Sequence, residues 1–391
     1  MDSDKDLGFG RRKFAWRTAL SVPMAGYAAF AQSGPSSDQG TFLDACKFGA
    51  RGDGKTDDTK AIQQALDAAG GKSGAVFVPP GVYACSELRM RRNTALVGIP
   101  AWGYGNTGGS VLKLIDKGAR CLINITGAIG ATIEGLSLEG GNLGEGVHGI
   151  FLDKPDYGKE EDTFRIERSK VARFSGDAVN LTRVWCFSIR QSMLAFSKGD
   201  GVRCLGWDGF IIDNWFSGNR GAGFGGRGVA ASLTMTGNRI EWNREAGILL
   251  AAGNHINITG NYIDRCGGSG IAITSAGDRQ SKHITVTGNV IYRSGKWSKL
   301  DTLENCHVRL EGAAGITCVG NSLVVGRDDG GKGNRSPSYG VVCQGLENAI
   351  IKDNVLHDGA LKTLVHDLGG HRDGVIVRDN PGRLFQLPPT G

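Results

Sequence analysis

Two aspartates, Asp177 in FSGDAVNL and Asp200 in FSKGDGVRC, stand 23 residues apart in near-identical contexts. Carboxylates at the same point of successive repeats start from a strand spacing of about 4.8 Å. Side-chain divergence can open that to the separation of a glycosidase acid and base. Their proximity raises one pKa and leaves a proton donor beside an ionised base. A second cluster follows: Arg309 and Glu311 alternate with Val308 and Leu310, and the Gly-rich segment 326–338 precedes Tyr339. The catalytic candidates are thus Asp177, Asp200 and Glu311. Candidates for holding substrate are Asn180, Arg203, Arg309, Arg327, Asp328, Asp329, Arg335 and Tyr339. The competing reading makes both aspartates turn residues bonded to backbone, which is common in G-D-G sequences, and makes 326–338 a solvated insertion.

Seven asparagines define the elements that must position these groups: Asn214, Asn238, Asn261, Asn289, Asn321, Asn354 and Asn380, with gaps of 24, 23, 28, 32, 33 and 26 residues. Such a period reads as a solenoid with one supersecondary unit per repeat. Short β-branched runs such as 256–259 and 284–287, flanked by glycine, read as strands. An Asn at one fixed turn position can bond to its equivalents along a ladder and tolerate a left-handed backbone. The expected fold is all-β, a single right-handed parallel β-helix over residues 42–385. Triplets such as His148-Gly149-Ile150, Asp177-Ala178-Val179, Asp200-Gly201-Val202 and Ala246-Gly247-Ile248 open a strand in each repeat. Stacking places their first members in a column and sends Ile150, Val179, Val202 and Ile248 inward. The next residues, Phe151, Asn180, Arg203, Leu249, Ala272 and Val342, then face outward with Arg309 and Glu311.

Composition fits. Glycine is 63 of 391 residues, without a third-residue period, as turns between short strands require. Residues 1–31 read as an export signal: Arg11-Arg12-Lys13-Phe14, a short apolar stretch, then Ala29-Phe30-Ala31. The paired arginines resemble the twin-arginine class, which implies a periplasmic or extracellular destination. Cleavage there lowers the formal charge from +6 to +4, mildly favouring an acidic partner such as a uronate polysaccharide. Residues 32–41 are a linker and 386–391 a tail. No apolar run after the leader is long enough to span a membrane, and no basic stripe with interleaved aromatics suggests nucleic acid. The nine cysteines lack metal-ligand spacing and read mostly as buried hydrophobes, with a Cys46–Cys85 bridge open.

Residues 42–83 differ from the repeats. Asp57 and Asp58 precede Ala61, Ile62, Ala65, Leu66 and Ala69, an apolar stripe at helical spacing that Gly70-Gly71 ends. The acids are placed to cap that helix, and the helix to cover the open end of the first coil. FGA-x-GDG-x-TDDT-x-AIQ-x-A, with the following V-x-x-PPG-x-Y strand, resembles the opening of the pectate-lyase-like superfamily, which includes polygalacturonases, rhamnogalacturonases, epimerase-like proteins and tailspikes. That resemblance implies a β-helix acting on or holding carbohydrate, and it leaves the reaction open because the motif is a cap. S-G-D at Asp177 and K-G-D at Asp200 resemble the polygalacturonase acid motifs. The second has one Asp where that family has two, and Gly221-Ala222-Gly223 stands where it has G-H-G. Arg309-Leu310, the Gly-rich segment and Tyr339-Gly340-Val341-Val342 show a local likeness to the inulin fructotransferase family.

The resulting expectation is an exported glycoside hydrolase cleaving a polysaccharide by carboxylate acid/base catalysis. Its rivals are a polysaccharide lyase, with Arg203, Arg309 or Lys296 as base, an intramolecular glycan transferase, and a non-catalytic glycan-binding solenoid. No cofactor is required. Calcium could be held through Asp328-Asp329 or Asp367, although no ordered run of oxygen ligands is present. Sequence does not give the oligomeric state.

Overall fold

A computed structural model describes residues 42–386, apart from 102, 106 and 107; the leader, the linker and most of the tail lie outside them. Short parallel strands stack coil upon coil into a 20-stranded and an 11-stranded sheet. The larger sheet forms two faces of the helix because its long strands bend at a left-handed residue. Arg183, Asp208 and Ala252, at φ 58°, 59° and 63°, are three such corners.

The strands that carry the first face are β1 (His148–Asp153), β2 (Val179–Arg190), β3 (Val202–Ile212), β4 (Phe224–Thr236), β5 (Ile248–Thr259), β6 (Ile271–Thr274), β7 (Cys306–Glu311) and β8 (Tyr339–Gln344). Their register aligns Ile150, Val179, Val202, Phe224, Ile248, Ile271, Val308 and Val341. All eight are fully buried, each contributing about 1.5–3 kcal/mol over an exposed position. This column holds the coils together and, by alternation, turns the intervening residues outward.

The asparagine ladder is continuous. Each Asn backbone N–H and Nδ2 donates to Oδ1 of the next, as from Asn214 to Asn238 at 3.0 and 3.1 Å, and the chain ends at Asn380. The left-handed residue is not the Asn, however, but the residue before it: Asp213, Gly237, Gly260, Gly288, Gly320, Asp353 and Asp379 all have φ between 53° and 69°. The Asn stays in ordinary backbone so that its side chain can turn inward.

Helix α1 spans Thr59–Gly70 and buries Ile62, Ala65, Leu66 and Ala69. Its cap differs from expectation. Asp57 takes the Thr59 N–H at 3.0 Å, while the Asp58 carboxylate turns back to the N–H groups of Arg51 and Gly52 at 2.7 and 3.1 Å. All nine cysteines are free; Cys46 is exposed near the Tyr83 hydroxyl and Cys85 faces the core, so they do not bridge. Among the described residues no helix is long and apolar enough to cross a membrane.

Candidate functional site

The outward row of the first face reads Asn124, Phe151, Asn180, Arg203, Gly225, Leu249, Ala272, Arg309 and Val342. At its upper end His148 and Asp177 occupy successive positions at the strand entrances. The Asp177 backbone N–H donates to His148 Nδ1 at 2.9 Å, so the neutral imidazole carries its proton on Nε2. The ring stacks on Phe151, and Arg120 lies over the same Phe151. Burial pushes the His148 imidazole down, Arg203 and Arg120 add to this, and Asp177 opposes it. Burial likewise pushes the Asp177 carboxyl up.

The expected acid pair does not form. Asp177 Oδ1 accepts the Asp200 N–H at 2.7 Å and its Oδ2 accepts Asn180 Nδ2 at 2.7 Å. Asp200 is almost fully buried; its Oδ1 takes the Ala222 N–H, and Arg227 clasps both oxygens at 2.8 Å. Arg227 reaches it over Gly225, where a Cβ would meet Asp200 Oδ2 at 2.3 Å. That bidentate bond holds the guanidinium more firmly protonated than usual. Asp200 is a structural ion-pair member with no oxygen left for chemistry. The expectation that Asn180 faces substrate is also corrected, since it is mostly buried and its amide serves Asp177.

Arg203 lies exposed on the row, with no carboxylate partner among the described residues. Beside it runs a feature missed in the sequence. The turns entering β3, β4 and β5 read S-K-G-D, N-R-G-A and N-R-E-A. Asn219 donates through Nδ2 to Asn243 Oδ1 at 3.0 Å in a second, shorter ladder. Backbone bonds from Arg220 to Ser197 and from Arg244 to Asn219, both 2.8 Å, stack the residues after each ladder position. Lys198, Arg220 and Arg244 therefore form an exposed basic column, one residue per coil, and among the described residues none pairs with an acid. The repeated N-R-x-A-G could have revealed it.

Below this column a cavity of about 450 Å³ is floored by Leu249, Ala272 and Arg309 and walled by Arg220, Arg244 and Trp297. Arg309 is held between Glu304 and Glu311 at 2.9 and 2.7 Å. Glu311 is thus in contact with the groove residue predicted beside it, as its ion-pair partner.

The segment 326–338 does not wall the groove. Arg293, buried, binds the Gly326 and Asn334 carbonyls and pairs with Asp328, and Lys296 reaches Asp328 at 2.8 Å. Asp329 pairs with Arg265 at 2.7 Å. Arg327 donates to the Gly331 carbonyl, and Arg335 lies over Phe385. These four are corrected from substrate contacts to contacts within the protein, and Asp328 braces Lys296, the neighbour of Trp297. Tyr339 stacks on His366 at the lower end of the column.

Of the carboxylates considered for calcium, Asp328 and Asp329 are already committed to arginine and lysine. Cys343, Asp367 and His371 bring ligand atoms within 4.8 Å of one another, yet they do not suit a metal. His371 Nδ1 accepts the Leu346 N–H at 3.0 Å, so its proton sits on Nε2, facing Asp367 Oδ1 at 2.7 Å. Metal at Nε2 would move that proton against the Leu346 N–H.

Coils, asparagine ladder and groove define a right-handed β-helix protein of the pectate-lyase-like kind. The chain belongs to the family described as "Right handed beta helix region", whose model matches residues 148–384, and the model "Rhamnogalacturonase A/epimerase, pectate lyase-like" matches 42–107. Alginate lyase 7 of Azotobacter vinelandii is 32% identical over 203 residues, 44% of this chain and 22% of that protein. Mannuronan C5-epimerase AlgE6 of the same organism is 32% identical over 188 residues, 42% and 20% of the two chains. This chain therefore spans about a fifth of the length of these relatives. Among solved structures, the A-module of AlgE6 aligns with TM-score 0.59 at 20% identity, covering 89% and 100%. A DFA-IIIase from Arthrobacter chlorophenolicus A6 aligns with TM-score 0.63 at 14% identity, covering 89% and 99%. These two structures speak to the fold alone.

Proposed function

We propose that this protein is an exported enzyme that binds a polymer of uronic acids along its first face and begins by removing the proton α to a uronate carboxylate. The observation that carries this reading is the unpaired basic column Lys198–Arg220–Arg244 beside unpaired Arg203. Like charges on adjacent strands repel, so such a column gains from an anionic ligand that follows it coil by coil. The names of the relatives, an alginate lyase and mannuronan epimerases, point to the same polymer class.

Hydrolysis is the less favoured route, because it requires two free carboxyl groups and Asp177 and Asp200 are both engaged. Elimination and epimerisation share a different first need. The proton at C5 is hard to remove while the adjacent carboxylate stays negative, and a fixed cation lowers that barrier. Arg203 supplies the cation, and Arg120 adds positive charge over Phe151 beside His148. A water at the exposed Arg203 takes the C5 proton and returns one to the glycosidic oxygen that leaves in β-elimination, and the neutral His148 stabilises that oxygen as a hydrogen-bond donor through Nε2–H.

The test is incubation with mannuronan, guluronan and polygalacturonate beside neutral glucan and fructan. Ultraviolet absorbance reads a new C4–C5 double bond, and proton NMR reads inversion at C5. Either signal, confined to uronates, supports the reading. New reducing ends without either signal would mark a hydrolase, and unchanged polymers of every kind a binding solenoid.

A further inference from the structure

We propose that the Trp297 cavity is a distal subsite that grips one uronate ring two to four coils from Arg203, so that efficient turnover requires a long chain; this deepens, and rests on, the uronate reading above. The cavity meets the two needs of an acidic sugar. Trp297 is 53% exposed and offers a flat apolar surface for a pyranose face. Arg220 and Arg244, without acidic partners, stand ready for its carboxylate. The two rim carboxylates do not compete: Glu304 is paired with Arg309, and Glu245 with Arg227.

Trp297 is also held in place. Its backbone N–H donates to the Gly267 carbonyl at 2.9 Å, and the Ser298 hydroxyl donates to the same oxygen. Gly267 occupies the column position after Lys198, Arg220 and Arg244. A Cβ there would meet Trp297 Cε3 at 2.3 Å and the Arg244 carbonyl at 2.0 Å. The basic column thus ends where a side chain is absent and the indole fills the space. Lys296, 5.0 Å from the indole and 4.1 Å from the Trp242 ring, is anchored through Asp328 to Arg293. A ring so fixed loses little entropy when it is covered.

The floor residues Leu249, Ala272 and Arg309 lie two, three and four coils beyond Arg203, about 10–19 Å along the helix axis at one strand spacing per coil. An extended chain of linked pyranoses covers that span only with several units. Contacts at both ends then act through one ligand, and the distal contact raises affinity without altering chemistry.

The experiment compares wild type with Trp297→Ala, Trp297→Phe and Arg244→Ala on a uronate polymer and on oligomers of decreasing length. In both alanine variants kcat/KM on polymer should fall about tenfold, the effect of losing one anchoring side chain. The loss should lie in KM, with kcat kept, while Trp297→Ala handles the shortest cleaved oligomers as wild type does. Trp297→Phe should recover part of it, and unchanged thermal melting of Arg244→Ala separates lost grip from lost fold. Equal losses on short and long substrates, or no loss on either, overturn the subsite while leaving the uronate reading intact. A wild-type protein inert toward every uronate polymer overturns both.

Discussion

The backbone N–H of Asp200 donates to the Asp177 carboxylate at 2.7 Å, and the Asp200 carboxylate in turn takes the Ala222 N–H and the Arg227 guanidinium. Two residues that resemble a catalytic pair are rungs of one ladder. Each spends an oxygen on the coil that follows. Asp200→Asn is therefore expected to destabilise the fold by about 2 kcal/mol, the scale of charged hydrogen bonds in a buried setting. Thermal unfolding reads this directly. An unchanged melting temperature with activity abolished would restore Asp200 to the chemistry.

Arg203 makes the opposite forecast. It is exposed, has no acidic partner among the described residues, and on the proposed mechanism faces the developing charge, so Arg203→Ala should leave the melting temperature nearly unchanged. Turnover of a uronate polymer should fall by about 10²–10³, as for loss of a charge-stabilising group. Arg203→Lys should recover part of the loss. Steady-state kinetics beside a melting curve decide it, and a fall in stability without a fall in kcat would count against Arg203.

Asp264 lies on the smaller sheet, beside Arg265 and nearly devoid of solvent. Burial raises its pKa from 3.8 to about 6, against the pull of Arg265. Between those values the folded chain holds a proton that the unfolded chain has released, so this group stabilises below the window and its contribution is lost as pH rises through about 6. Asp264→Asn should remove that dependence. Urea unfolding on either side of the window should show the variant's stability changing with pH by about 1–3 kcal/mol less than wild type's. Parallel pH profiles for the two proteins would refute the assignment.

Asn261 is a central rung. Its Oδ1 accepts from Asn238 at 3.1 and 2.9 Å, and its Nδ2 donates to the Met235 carbonyl and Asn289 Oδ1 at 3.0 and 2.9 Å. Asn261→Ala strands buried donors on one side and a carbonyl on the other. The expected cost is about 3 kcal/mol or more, visible as a lower denaturant midpoint. Gly260→Ala should also destabilise, because Gly260 is the left-handed residue at φ 65°.

The recurrence of Asn at near-constant spacing was enough to specify coils, since a residue that must bond its own equivalent needs that equivalent one coil away. Period-two alternation then assigned Val202 inward and Arg203 outward, and both hold in the register. What the chain order could not reveal was which charge meets which. Asp200 is neutralised by Arg227, 27 residues on, because a glycine at 225 lets that side chain cross the floor. The 326–338 segment reads as a groove wall, yet buried Arg293 draws Asp328 behind the face, where it braces Lys296 and the segment bearing Trp297. Local sequence sets periodicity because strand and turn preferences act over a few residues. Partner choice among charges depends on side-chain direction and desolvation in three dimensions, and there the tertiary structure alone decided.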